Sequence, residues 1–308
     1  MKIPWALRAV AWLVSLPPRR WVLALGAGLG TLVWRLGIRR RVALENARFA
    51  LGDEAAARAA VRGAYRNLGM VLVETFLAIR MSDAELAEAV RLDNVEALEG
   101  AVAQGKGVVV VAGHFGNWEL LGAAASRRGI VFHAIVRQLK GPMNALLHGA
   151  RAIAGLREIG AKGTFHEALD VLRRGEILAV IIDQNMLRSR GIFVDFFGRK
   201  ACTTPAPALL ADRTGALVMG AFPVREGPMR WRVVFEGPYE LPKDVEEHTQ
   251  RLQNIMESWV RRHPDHWFWM HRRWKTRPLE EAEAPGLPPR EAPASPAPPA
   301  DLGPGSSR

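Results

Sequence analysis

The chain has a single cysteine. Cys202 cannot close an intrachain disulfide, which fits a reducing compartment, and a cysteine-based zinc cluster is excluded. A free thiol in the core is the simplest place for it. Also missing is an uncharged run long enough to cross a bilayer without help. Trp21 to Trp34 is fourteen uncharged positions between Arg20 and Arg35. As a helix it would span roughly 21 Å, against a hydrocarbon core of about 30 Å. No internal repeat and no recognisable nucleic-acid-binding module is present. From Leu279 onward the composition lacks core-forming residues: eight of the twenty prolines lie there. Such a segment buries too little apolar surface to fold, so 279–308 is expected to be a disordered Pro/Ala-rich tail.

What is present suffices for a sizeable core. Of 308 residues, 49% are hydrophobic and 24% charged, in keeping with one α/β domain of about 250 residues. The net charge is +11. The last thirty residues hold five acids and two bases, so the 278 before them carry about +14. Acidic partners follow from that balance: nucleic acid, anionic lipid headgroups or an acidic carrier protein. The apolar N-terminus and the missing module argue against nucleic acid. An early apolar stretch, Ala9 to Leu16, is cut off by Pro17-Pro18. If Arg35 snorkels, the second run reaches Ile38 and approaches a full span. Arg39-Arg40-Arg41 follow and favour a cytoplasmic position for the rest; such a basic triplet also opposes reading the segment as an export signal. Residues 1–41 are therefore expected to be a membrane anchor, spanning or interfacial, and 42–278 the catalytic domain.

Asp53 to about Ile79 reads as a helix with Asp53 as N-cap, and Ser82-Asp83-Ala84-Glu85 as a capping box opening a second. After Gly100 short apolar strands alternate with helices. Strands are expected at Val108–Ala112, Ile130–Val136, Ile177–Ile182, Ile192–Phe196, Leu217–Phe222 and Trp231–Phe235. Helices are expected at Asn117–Arg128, Met143–Ile159, Phe165–Arg174, Thr204–Arg213 and Asp244–Arg262. The alternation predicts an α/β fold with a mainly parallel central sheet flanked by helices.

Gly113-His114-Phe115-Gly116-Asn117-Trp118-Glu119 follows directly on the buried strand VVVVA and opens the next helix. In an open α/β sheet, ligands bind beyond the carboxyl ends of the strands. Five positions apart on one helix, His114 and Glu119 would lie about 140° apart. They can meet only if His114 lies in the turn and Glu119 in the first helical turn, with Asn117 as N-cap and Gly113 and Gly116 easing the bend. Imidazole suits removal of a hydroxyl proton near neutral pH, and a carboxylate on its other nitrogen fixes the tautomer. No serine or cysteine nucleophile is suggested nearby, so direct attack by an acceptor hydroxyl is simpler than a covalent intermediate. A metal-dependent hydrolase would need three ligands, and this motif supplies at most two. Neither metal nor cofactor is expected.

The segment HFGNWE matches the HX4(D/E) motif of glycerolipid acyltransferases. Together with Asp183-Gln184-Asn185, GIFVDFFGRKACTTPAPALLADRTGA (191–216) and WFWMHRRWKTRP (267–278), it resembles the bacterial lipid A late acyltransferases, the lauroyl and myristoyl enzymes. The resemblance implies an inner-membrane enzyme facing the cytoplasm. Acyl carrier protein thioester, or alternatively acyl-CoA, would be the donor, and a phosphorylated glycolipid of the lipid A pathway the acceptor. A phosphatidylinositol mannoside or an aminolipid is the alternative acceptor. By position, His114 would be the general base and Glu119 its orienting acid. Arg137 matches the arginine that contacts an acceptor phosphate, a role that suits a bidentate guanidinium. Asp183 matches an acidic motif, and with Gln184, Asn117 and Arg137 it makes up the expected acceptor-binding set. Phe193 to Thr204 is a candidate lining for an acyl cleft. The tryptophans and bases of 259–277 suit a lipid interface, though several should pack as core, and no catalytic role is expected for His263, His266 or His271.

Overall fold

The computed structural model describes residues 5–135, 148, 151, 155–160 and 164–282. Three helices come first: α1 (Trp5–Ser15), α2 (Arg19–Arg35) and α3 (Arg40–Leu51). Then α4 (Glu54–Ala78) starts where Asp53 accepts the Ala56 N–H, and α5 (Asp83–Ala89) where Ser82 and Glu85 form the expected capping box. That second helix lasts only seven residues before β1 (Val90–Asp93), which the sequence reading did not anticipate. There follow α6 (Val95–Ala103), β2 (Val108–Ala112), α7 (Trp118–Arg127), β3 (Phe132–Ile135), β4 (Arg157–Ile159), α8 (Thr164–Arg173) and β5 (Ile177–Ile181). The body ends with β6 (Ile192–Phe196), β7 (Arg199–Thr203), α9 (Ala206–Thr214), β8 (Leu217–Gly227), β9 (Arg230–Glu236) and α10 (Val245–Arg262). The expected helix from Met143 to Ile159 lies largely outside the described residues. Its last three residues are strand β4, paired in parallel with β3. The first four residues of the tail expected at 279–308, Leu279–Ala282, form a short helix, while Arg137 and residues 283–308 lie outside the described residues.

Seven strands form one sheet in the order β1-β9-β8-β2-β5-β3-β4. All neighbours run parallel except β8 and β9. Those two are joined by only Pro228 and Met229, a link too short for the crossover that parallel strands need. Valines of β2 feed both layers. Val109 and Val111 pack with Phe115, Met256 and Trp267 on one face, and Val108 and Val110 with Leu120, Ala124 and Met219 on the other. A separate antiparallel hairpin, β6–β7, turns at Phe197 and Gly198, both at positive φ as a tight two-residue turn requires. It carries Cys202, which is buried.

The described residues show no clear N-terminal membrane-anchoring helix. Among the described residues no single helix is long and apolar enough to cross a membrane; α2 and α3 would pass only as a pair, and they are bent by 92°. Instead α2 lies against α4. Its Gly26 and Gly30 let the backbones meet: a Cβ on Gly30 would sit 2.0 Å from the Tyr65 carbonyl oxygen, and one on Gly69 would sit 2.1 Å from that of Gly26. The opposite side of this layer exposes Trp12, Leu13, Trp21, Leu25, Leu29 and Leu32. Arg41 lies within α3 (Arg40–Leu51), which buries Ala43 and Leu44 in the main core. Gly30→Val is expected to destabilise this layer by about 1–3 kcal/mol, because the obstructing atom is helix backbone and cannot rotate away. Hydrogen exchange should then accelerate in α2 and the facing half of α4; unchanged protection would show the contact to be dispensable.

Candidate active site

The turn after β2 carries His114. A Cβ on Gly113 would strike Met256, and one on Gly116 would lie 1.9 Å from the Pro223 carbonyl oxygen, at a φ of +57° that already favours glycine. Asn117 then caps α7 by accepting the Leu120 N–H at 3.0 Å. Its amide donates at 3.1 Å to Glu74, which is fully buried in α4. Glu74 also accepts from Trp231 and takes both terminal nitrogens of Arg225. Asn117 thus has both ends of its side chain engaged inside the protein and no surface to offer an acceptor. It shapes the site by fixing the turn.

His114 and Glu119 occupy the turn and the first helical turn, as the spacing required, but they do not pair. The carboxylate on the imidazole is Asp183, whose Oδ1 lies 2.9 Å from Nδ1. Its Oδ2 accepts the His114 backbone N–H at 2.7 Å and the Trp267 indole N–H at 2.9 Å. Asp183 is 2% exposed, so it works on His114 rather than on a ligand directly. Glu119 accepts from Arg151 Nε at 3.3 Å and from its neighbour Trp118 at 3.2 Å. The orienting position that the resemblance assigns to Glu119 is held by a different acid. Gln184 is exposed, with its amide 3.2 Å from His114 Nε2, on the side where a ligand can approach.

The ring of His114 sits between Trp118 and Phe268, with centroids at 5.3 and 6.2 Å. A tight crevice with only about 10 Å3 of free space lies beside it, lined by Leu68, Val71, Trp118, Phe268 and Met270 together with Asn67 and His266. The segment from His266 to Thr276 ties the turn to the DQN loop. His266 accepts the Gly116 N–H and Phe268 donates to the His114 carbonyl. His271 accepts the Asn185 N–H at 2.9 Å, and Thr276 exchanges two hydrogen bonds with the Asn185 side chain. Arg273, fully buried, donates to the Gln184 and Cys202 carbonyls at 3.3 and 2.8 Å, and burial lowers its pKa to about 10. Trp259, Trp267, Trp269 and Trp274 are all buried, so these tryptophans pack as core and the segment forms a strap over the site. Sequence reasoning missed Glu74, Arg151, Arg225, Trp267 and Arg273. A signal existed for Glu74 alone: a lone acid within the apolar run MVLVETFLA.

Burial is the largest influence on both partners of the pair and opposes their charged forms. The facing charge and the hydrogen bond outweigh it. The pKa of His114 is raised above the ordinary 6.5, and that of Asp183 is lowered below 3.8. Asp183 is therefore ionised at neutral pH and accepts a hydrogen bond from the Nδ1–H, which leaves the Nε2 lone pair outward as a base. A base loses function once protonated. The acid limb of kcat/KM should accordingly lie above pH 6.5, with activity falling as pH drops through it. A limb centred below 6.5 would contradict this electrostatic picture.

An imidazole with an outward lone pair, a buried carboxylate behind it and a largely apolar crevice beside it is a proton acceptor set in apolar surroundings. The family model for bacterial lipid A biosynthesis acyltransferases matches residues 1–276. The chain belongs to that family. It is 26% identical over 224 residues to the lipid A biosynthesis palmitoleoyltransferase of Escherichia coli K12, covering 71% of this chain and 72% of that protein. To the lauroyltransferase of the same organism it is 26% identical over 283 residues, covering 90% and 92%. A phosphatidylinositol mannoside acyltransferase of Mycobacterium tuberculosis is also 26% identical, over 210 residues, covering 65% and 66%. As a lipid A biosynthesis acyltransferase family member, the chain is an enzyme that transfers acyl groups, and its turn HFGNWE is the one built around His114.

Proposed function

We propose that this acyltransferase moves a fatty acyl chain from an acyl carrier protein thioester to a hydroxyl of a phosphorylated lipid A precursor, at the cytoplasmic face of the inner membrane. The observation that carries the reading is the His114–Asp183 pair, with Nε2 directed outward beside the largely apolar crevice. Nε2 takes the proton of the acceptor hydroxyl as its oxygen attacks the thioester carbonyl. The carbon–sulfur bond then breaks, and the imidazolium returns the proton to the departing thiolate. Asp183 stays ionised throughout and stabilises the imidazolium. Gln184, beside Nε2, is placed to be displaced by, or bond to, the incoming hydroxyl. Glu119 and Arg151 border the same site, and Arg137 keeps its proposed part as a phosphate ligand on the strength of the resemblance alone.

Membrane attachment is supported by the exposed leucines and tryptophans of α1 and α2 and by the exposed Arg35, Arg39, Arg40 and Arg41 that follow. The arrangement suits an interfacial layer, with the apolar side in the acyl region and the guanidinium groups at headgroup depth. Equal identity to a mannoside acyltransferase favours one second reading, a glycolipid acceptor of that type.

Mass spectrometry of products decides between them. Purified enzyme is incubated with acyl carrier protein thioesters, acyl-CoA, a lipid A precursor and a phosphatidylinositol mannoside. The expected product is the lipid A precursor plus one acyl increment, drawn from the carrier protein. Acylation of the mannoside alone would overturn the acceptor, and turnover with acyl-CoA alone would overturn the donor.

A further inference from the structure

A second cavity, of about 510 Å3, is lined by residues that no step of the reaction uses. It gathers Arg41 from α3, Arg199 from β7, and Arg272 and Lys275 from the strap, with Phe49 and Trp274 among its walls. Besides Arg199, three cations line the hollow with one carboxylate, Glu45, which is paired with Arg41 at 2.7 Å. The side chains of Arg272 and Lys275 are exposed and have no hydrogen-bond or ion-pair partner among the described residues. Arg199 lies 3.8 Å from the Phe49 ring centroid, so one wall is an aromatic surface carrying a guanidinium. Cations drawn from three separate elements into one hollow repel each other, and an anion there relieves that repulsion. The volume suits a phosphate-bearing headgroup.

The neighbourhood indicates which anion. Leu25, Leu29 and Leu32 of α2 and Leu36 at its C-cap are exposed at helical spacing, and exposed Ile38 follows, three residues before Arg41. Along the chain this exposed apolar stripe thus ends three residues before Arg41, one of the residues lining the cationic hollow. That is the order of a lipid molecule, acyl chain then phosphate. A soluble acidic protein would use the charge and leave the stripe without a role.

We propose that this cavity is a phosphate site for the headgroup of an anionic membrane phospholipid, seated with its acyl chains along the α2 stripe. The proposal rests on the membrane-surface reading above. It adds a defined headgroup position that fixes how the enzyme lies on the bilayer.

Vesicle sedimentation of the full chain tests it, with vesicles of phosphatidylcholine alone or doped with phosphatidylglycerol. The Arg272→Ala/Lys275→Ala double variant, which removes two exposed side chains, should bind the doped vesicles about 30-fold more weakly, with binding to phosphatidylcholine little changed. Leu32→Glu/Leu36→Glu should weaken binding to both. Equal binding of the doped vesicles by wild type and double variant would overturn the site while leaving the membrane reading intact. Failure of the wild type to bind either vesicle would sink both. In neutral detergent micelles, the double variant should keep its KM for the phosphorylated acceptor and for the carrier thioester. A raised KM for the acceptor would assign the site to the acceptor's own phosphate, and one for the carrier would assign it to carrier docking; either result overturns the proposal.

Discussion

Asp183→Asn is expected to reduce acyl transfer by about 10³- to 10⁴-fold, nearly as much as His114→Ala, while the protein stays folded. The reason lies in the two donors on Asp183 Oδ2, the His114 backbone N–H and the Trp267 indole. They oblige the asparagine to place its carbonyl oxygen there. Its NH2 group then faces Nδ1 of His114, where Oδ1 now lies at 2.9 Å. Only the tautomer with the proton on Nε2 can accept that bond, and this tautomer has no lone pair to offer a hydroxyl. Near-isosteric replacement thus inverts the base instead of merely weakening it. Glu119→Gln should cost much less through His114, because Glu119 bonds Arg151 and Trp118 rather than the ring. Single-turnover rates with purified variants make the comparison, and circular dichroism checks the fold. A loss below tenfold in Asp183→Asn, or a larger one in Glu119→Gln, would reassign the orienting acid.

The second large effect is on stability. Glu74→Ala should destabilise the fold by about 3–5 kcal/mol, since it strands the Arg225 guanidinium in the interior. Arg225 is only partly compensated elsewhere: its Nε donates to Asn67 at 2.6 Å, and its Cζ lies 4.2 Å from the Trp231 ring centroid. The same change frees the Asn117 amide and the Trp231 N–H. The cap of α7 would lose its support, so activity should fall further than the unfolded fraction accounts for. Thermal melting with parallel rate measurements reads both effects. Replacing Glu74 and Arg225 together by methionine should recover much of the lost stability, because no buried charge is left unpaired. A single variant melting within a few degrees of wild type would show that solvent reaches Arg225.

Local pattern carried much of this architecture. The run VVVVA predicts a strand buried on both faces, and β2 lies at the middle of the sheet. Asp53, Ser82 and Asn117 are caps by residue type and position, and each accepts the backbone N–H that a cap should. Where elements were missed, the cause was also local. β1 is four residues following a seven-residue helix, and β4 is three residues at the end of a pattern read as helical. Neither is long enough for periodicity to declare it.

The sequence by itself determined that His114 would stand in a glycine-flanked turn at the carboxyl end of a buried strand, with Asn117 starting the next helix. Only the tertiary structure decided which carboxylate would meet it. β2 and β5 are parallel neighbours in a register that sets Ala112 against Ile181. Two residues past each of those positions lie His114 and Asp183, brought together across 69 positions of chain. Glu119, five residues away, is carried off by the rotation of α7 towards Arg151. Spacing along one chain states which residues can be near in sequence. Strand order and register, set by packing the whole sheet, choose the partner.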